Sequence, residues 1–336
     1  MTGDADSLCR AAALQFLKPG DESLIENVSL CRVSEGLSGA VVHQCTTKHG
    51  VFALKRWPPG TAAQRIDEIH HVQRFVGNSL SIIPPLVPWR EQETRLTFGD
   101  WHFDCSRWLA GHAFDASTDN VIAAVRNGAA AIGQFHRSTA GLGSEIAIAP
   151  AVVQRLSRLG ELKELIPLAL GRSQKLTGSL RLVANHFNQA WRQHHDQSVS
   201  RLRPWSARPV PIQWVLRDVH REHVLFEGGR VTAVVDFDAV KRDTVASDLS
   251  RWVGSFMEFA ADPKTLWNQA FSSYQTSNAI SPCEQELAGA IEEASGFISL
   301  ANWVVWIAGE GRNFPGGMDA VERRVAHLLR ISSVRF

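Results

Sequence analysis

The chain has 336 residues, 44% of them apolar with eleven Trp and sixteen Phe, enough to fill the cores of two domains. Its formal charge is +1, with 35 Lys and Arg against 34 Asp and Glu, so no overall electrostatic case exists for nucleic acid or an anionic membrane. Five Cys (Cys9, Cys31, Cys45, Cys105, Cys283), far apart and in no metal spacing, read as reduced thiols and place the protein in the cytoplasm.

The first residues carry Asp4 and Asp6 and lack a basic segment ahead of a long apolar run, so no signal peptide is expected. Residues 8–17 read as a short helix and Val28–Val33 as a strand. The loop Ser34-Glu-Gly-Leu-Ser-Gly-Ala40 follows, then strand Val41–Cys45, a turn at Lys48–Gly50, and strand Val51–Trp57. That layout suits a flap over nucleotide phosphates, because Gly36 and Gly39, with Ser38 between them, let backbone amides approach phosphate oxygens. The same loop also reads as an ordinary hairpin turn.

Lys55 lies inside an apolar strand. Alternation puts Ala53, Lys55 and Trp57 on one face and Phe52, Leu54 and Arg56 on the other. An ammonium facing a core needs a partner, since burying it unpaired costs several kcal/mol. The next helix, Ala62–Val76, presents Ile66, Ile69, Val72 and Val76 at helical spacing. Glu68 sits at the edge of that face and is the expected partner of Lys55; Asp67, His70 and His71 are expected in solvent.

Pro84, Pro85 and Pro88 mark a connector, and Leu96–Phe98 and Trp101–Trp108 read as two strands. Val121–His136 is a strong helix. Residues 151–200 hold two or three helices, broken at Pro167 and Gly171, with His186, His194 and His195 read as surface. Helices are expected near Pro263–Thr276, Pro282–Ile307 and Met318–Ile331. The apolar-rich stretch 297–308 is too short for a membrane span and reads as buried helix.

The densest signal lies between these helices. Val224–Phe226 and Val231–Val235 flank Glu227-Gly228-Gly229-Arg230, a tight-hairpin signature because both central residues tolerate positive φ. With Glu227 opposite Arg230, Asp236 falls opposite Arg221 and close to His223, with Asp218 just beyond. Two acids and an imidazole at the open end of a hairpin suit metal-assisted group transfer. The alternative is that both acids are turn or cap residues.

Leu216-Arg217-Asp218-Val219-His220-Arg221-Glu222-His223, the hairpin, and Asp236-Phe237-Asp238 together resemble the catalytic segment of the aminoglycoside phosphotransferase and choline kinase family, which has a protein-kinase-like fold. That family shows H-G-D-x-H-x-x-N, a hairpin, then a D-F or D-x-D segment. The resemblance extends over roughly residues 30–255 and rests on the order of the motifs. It implies an α+β, two-lobed fold, with a small β-rich nucleotide-binding lobe at 1–108 and a larger helical catalytic and substrate-binding lobe at 109–336. Trp108-Leu-Ala-Gly111 is then the hinge, and Val240–Thr244 a short activation-type loop. Asp248 matches a second family Asp that props the catalytic loop, and it also suits the helix dipole as a first-turn acid. His136 is expected as a packed or capping residue.

The implied activity is transfer of the γ-phosphate of ATP or GTP to a hydroxyl of a small molecule. In that scheme Asp218 is catalytic. Lys55, held by Glu68, neutralises phosphate oxygens, and Gly36, Ser38 and Gly39 cover the triphosphate. Arg217 contacts either phosphate or a neighbouring carboxylate. Asp236, with Asp238 and His223, holds Mg²⁺. Two positions depart from the family: Leu216 replaces its first His, and His223 replaces a metal-binding Asn. Imidazole favours Mn²⁺ over Mg²⁺. His223 therefore ligates metal, or holds a metal-bound water, or marks a missing second metal and reduced activity. The competing reading is a nucleotide-binding pseudokinase that regulates a partner protein. The acceptor has no readable motif. A cationic acceptor calls for an acidic cleft, for which Glu161, Glu164, Glu258, Asp262 and Glu310 are the candidates. Nucleic acid and membrane are not expected partners, and the sequence carries no signal of oligomeric state.

Overall fold

The computed structural model describes residues 2–17, 29–35, 39–172, 181, 187, 191, 194–260 and 262–312. The chain divides into two compact units: Met1–Asp115 with Glu222–Val240, and Ala116–Arg221 with Lys241–Phe336. The expected helix Met318–Ile331, with His186, Gly36 and Ser38, lies outside the described residues.

The first unit contains α1 (Thr2–Leu17), β1 (Ser29–Glu35), β2 (Val41–Thr47), β3 (Gly50–Arg56), α2 (Ala63–Gly77), β4 (Arg95–Phe98), β5 (Trp101–Arg107) and β6 (His112–Ala113). It is joined by β9 (Val224–Glu227) and β10 (Arg230–Val234). Strands β1-β2-β3-β5-β4 form one antiparallel sheet, in that order. The alternation in β3 decides its faces. Phe52 and Leu54 enter an apolar core with Cys45, Leu96, Phe103 and Cys105, covered by Ala12, Ala13 and Phe16 of α1. Lys55 and Trp57 take the opposite face, where the Lys55 ammonium lies 4.3 Å from the Trp57 ring centroid. Helix α2 buries Ile66, Ile69, Val72 and Val76, as its spacing predicts.

His70 departs from expectation. It is buried, with Nδ1 2.8 Å from Thr94 Oγ1 and Nε2 3.3 Å from Asp104. It stands four residues after Ile66, on the same helix face, and two polar partners, one just before β4 and one in β5, offset its burial.

In the hairpin, Gly228 (φ 55) and Gly229 (φ 76) both take the left-handed region, as the turn requires. Arg230 pairs with Glu227 and Val231 with Phe226, then the register shifts so that Ala233 faces Leu225. Thr232 is the extra residue, and its hydroxyl donates to Ala110 O at 2.6 Å. The bulge corrects the expected Asp236–Arg221 pairing by one place.

The second unit contains α3 (Val121–Thr139), β7 (Glu145–Ala147), α4 (Pro150–Arg172), β8 (Val210–Val215), β11 (Lys241–Asp243), α5 (Val245–Gly254), α6 (Pro263–Gln275) and α7 (Pro282–Val304). The stretch Val240–Thr244, expected as a loop, supplies β11, whose Lys241, Arg242 and Asp243 pair with Val215, Trp214 and Gln213 of β8. Helix α4 runs through Pro167 and Gly171 rather than breaking there. Lys163 and Pro167 are exposed, so water can take the carbonyl that the proline leaves without a donor. His195 is also not surface: it is buried, with Nε2 3.1 Å from Leu159 O and its ring 4.8 Å from Trp191. Helix α7 buries Phe297, Leu300, Ala301 and Val304, in line with the buried-helix expectation. No described helix is long and apolar enough to cross a membrane.

Helices α3 and α5 approach closely at Gly128, where an added Cβ would lie 2.0 Å from Cζ2 of the buried Trp252. Gly128→Ala should lower stability by about 1–3 kcal/mol by overpacking, outweighing roughly 1 kcal/mol of helix propensity gained. Gly160→Ala in α4, with no atom within 4 Å of the new Cβ, should be neutral or stabilising. Urea unfolding of both variants checks the pair. Equal midpoints would refute the tight α3–α5 contact.

Candidate active site

In the first unit, Lys55 and the end of the hairpin meet. Lys55 Nζ makes a close ion pair with Asp238 Oδ1 and lies 4.0 Å from Asp236 Oδ1. Burial alone would lower the Lys55 pKa, but Asp238 first, then Asp236 and Asp104, hold it above its usual value. Burial raises the Asp238 carboxyl against the pull of Lys55, and Asp236 adds to the rise. The two shifts share one cause: charges gathered on a mostly dry surface.

Asp236 has φ 63, one of three non-glycine residues with positive φ among those described. Asp tolerates this conformation because its short side chain bonds local backbone, and here Oδ1 accepts from the Asp238 amide at 3.3 Å. The ladder runs past the bulge, with Val235 N donating to His223 O at 2.8 Å. That leaves His223 Nε2 3.6 Å from Asp236 Oδ2. Two carboxylates already bracket one cation, with an imidazole beside Asp236, and carboxylate and imidazole are donor types that divalent metal ions take.

Glu68 does not join this group. It is exposed on α2 and stays with its own helix, accepting from Gln64 Nε2 at 3.3 Å and lying 3.8 Å from Arg65 Nη1. Asp238 takes the place expected for Glu68 beside Lys55. Gly39 has φ 83, a conformation that favours glycine.

In the second unit, Arg217 also takes positive φ (65), directly before Asp218. Asp248, in the first turn of α5, holds this turn from below. Its Oδ2 accepts from Leu216 N at 2.7 Å and its Oδ1 from Arg217 N at 2.6 Å. His136 Nε2, 2.9 Å from Asp248 Oδ2, completes the buried group. Its Nδ1 lies 2.9 Å from Tyr274 Oη, which accepts from Asn278 at 2.8 Å. Burial pushes the Tyr274 phenol up, so it keeps its proton for this chain. His136 is thus a packed residue, and Asp248 both props the loop and lies in a helix first turn. Asp218 itself is half-exposed, and Arg251 Nε (2.9 Å) and Nη2 (2.8 Å) both reach its Oδ1. Arg217 Nε lies 3.4 Å from Asp243 Oδ2, and Nη2 donates to Gln154 at 2.5 Å.

Several contributors escaped the sequence reading. Asp104, opposite Lys55 in the β3–β5 register, accepts from Trp57 Nε1 at 2.5 Å; an acid inside an apolar strand was its signal. Arg65 of α2 donates to the carbonyls of Asp238, at 2.9 Å, and Val240, and nothing local in sequence announces such a contact. Arg251, Asp243 and Arg155 are three more.

A family model described as a phosphotransferase enzyme family matches residues 29–278. In structure the chain is similar to an aminoglycoside phosphotransferase from Alicyclobacillus acidocaldarius, at 14% identity and TM-score 0.65, covering 93% of each chain. It is also similar to an amicoumacin kinase bound to AMP-PNP, Ca²⁺ and Ami (12%, TM-score 0.64, 98% of this chain and 93% of the other). A spectinomycin phosphotransferase bound to ADP and spectinomycin is a third (11%, TM-score 0.62, 91% and 88%). A comparison with curated proteins gave no match. At these identities the structural likeness speaks to the fold: a β-rich N-terminal region and a helical C-terminal region, as in protein-kinase-like phosphotransferases.

Proposed function

Because the chain belongs to the phosphotransferase enzyme family, we propose that it moves the γ-phosphoryl group of ATP or GTP to a hydroxyl of a small molecule, using Mg²⁺ or Mn²⁺. The observation that carries this reading is the bracketing of Lys55 between Asp238 and Asp236 at the end of the hairpin. A cation site made by two carboxylates beside a part-buried ammonium is the equipment for binding a metal-complexed triphosphate.

Residues 1–108 bind nucleotide and residues 109–336 carry the catalytic and substrate-binding groups. Lys55 neutralises phosphate oxygens, and the loop of Gly36, Ser38 and Gly39 covers them with backbone amides. Glu68, exposed on α2, serves the nucleotide only by way of Arg65. Asp236, Asp238 and His223 would hold the divalent ion, which when bound neutralises charge on the phosphate oxygens. Asp218 orients the acceptor hydroxyl and takes its proton as the phosphoryl group departs. Arg217 shapes the turn that presents Asp218.

The regulatory, non-catalytic reading draws on one observation, the engagement of Asp218 by Arg251. Production of ADP or GDP separates the two. With kanamycin, choline, ribose and D-glycerate as acceptors, at least one should support turnover that stops when metal is chelated. Nucleotide bound without turnover on any of them would favour the regulatory reading.

A further inference from the structure

Three arginines of the second unit lie within electrostatic reach of one another: Arg251 on Asp218, Arg217 next to Asp218 in the chain, and Arg155, which has no acid of its own. Arg155 of α4 is partly buried, and its guanidinium donates only to neutral atoms, Ser295 Oγ at 2.7 Å and Ala151 O at 3.0 Å. Among the described residues it has no carboxylate within ion-pairing distance. Burial first pushes its pKa down to about 10; Asp243 opposes the fall, and Arg217 and Arg251 add to it. Arg217 and Arg251 share Asp243 and Asp218 as their acids, which leaves three guanidiniums to two carboxylates. Asp243 is fully buried, and two backbone amides, from Ala151 and Thr244, already bond its Oδ1. Crowding like charges on a partly dry surface is unfavourable unless an anion completes the group.

Four of the five acids that a cationic acceptor would need are occupied, the exception being Glu164, exposed on α4. Glu161 pairs with Arg158 at 2.6 Å and Glu258 with Arg221 at 2.5 Å. Glu310 pairs with Arg312, and Asp262 caps α6 through the amides of Lys264 and Thr265.

We propose that Arg155, Arg217 and Arg251 form an anion subsite beside Asp218, and that the acceptor is a small hydroxy compound bearing a carboxylate or phosphate group rather than a polycation. The word acceptor rests on the phosphotransfer reading; the anion subsite does not.

Calorimetry on the full chain without nucleotide tests it, with D-glycerate and glycerol 3-phosphate as probes and glycerol, choline and kanamycin as controls. At least one anion should bind, and which one tells carboxylate from phosphate. Arg155→Gln should weaken that binding tenfold or more, with glycerol and the cations giving no heat. Arg251→Gln, at a half-exposed position, serves if Arg155→Gln fails to fold, and the same loss is expected. No heat from either anion, or equal affinity in wild type and variant, overturns the proposal. ADP formed with choline or kanamycin but with neither anion overturns it too, while leaving the kinase reading intact. Anion binding without any ADP does the reverse.

Discussion

Asp218→Asn is expected to cut phosphoryl transfer by about 10²–10⁴-fold while leaving nucleotide affinity and stability near wild type. In the proposed mechanism the local structure aims this carboxylate. Asp248 holds the two amides before it, Arg217 takes a backbone conformation few residues adopt, and Arg251 fixes one oxygen with two nitrogens. Asparagine keeps the shape and the contact with Arg251, so folding should lose little; exposed pairs of this kind contribute about 0–1 kcal/mol. What disappears is the capacity to accept a proton. The check is kcat against the KM for nucleotide. A variant within threefold of wild-type turnover would remove Asp218 from the chemistry.

Asp248→Asn should act differently, lowering stability by about 3–5 kcal/mol and abolishing turnover along with it. The carboxylate is wholly buried and accepts from two backbone amides and an imidazole. An amide side chain presents one NH₂ to this ring of donors, so at least one buried N–H loses its acceptor. The Arg217 turn then loses the bonds that offset its strained φ. A drop in the urea midpoint, together with loss of kcat, is the expected result. A variant with the wild-type midpoint would show that the loop is held by other means.

What the sequence made legible was local. The alternation of β3, the apolar stripe of α2 and the Gly-Gly turn each depend on neighbours within a few residues, and each appears as read. The Asp236–His223 approach was also legible, because hairpin counting survives a one-residue bulge. The bulge itself was not, since Thr232 is an ordinary strand residue whose extra bond goes to Ala110, far back in the chain. Long-range partners account for the other differences. Lys55 pairs with Asp238 rather than with Glu68 of the following helix. Lys241-Arg242-Asp243 looks like a charged loop until β8 supplies its partner strand. His70 carried a signal that was outweighed by its polarity: it shares a helix face with Ile66, and its partners are Thr94, just before β4, and Asp104 of β5.

Thermal unfolding of the protein and of Asp236→Asn, with ATP or GTP and with Mg²⁺ or Mn²⁺ present or withheld, tests the nucleotide site most directly. A ligand at 100 times its dissociation constant stabilises by about 2.7 kcal/mol, or roughly 5–10 °C here. The expected result is an upward shift for wild type that needs metal and vanishes in Asp236→Asn, larger with Mn²⁺ if His223 ligates. An equal shift in both proteins, or none with either nucleotide, would contradict the assignment of Lys55, Asp236 and Asp238 to a metal–triphosphate site.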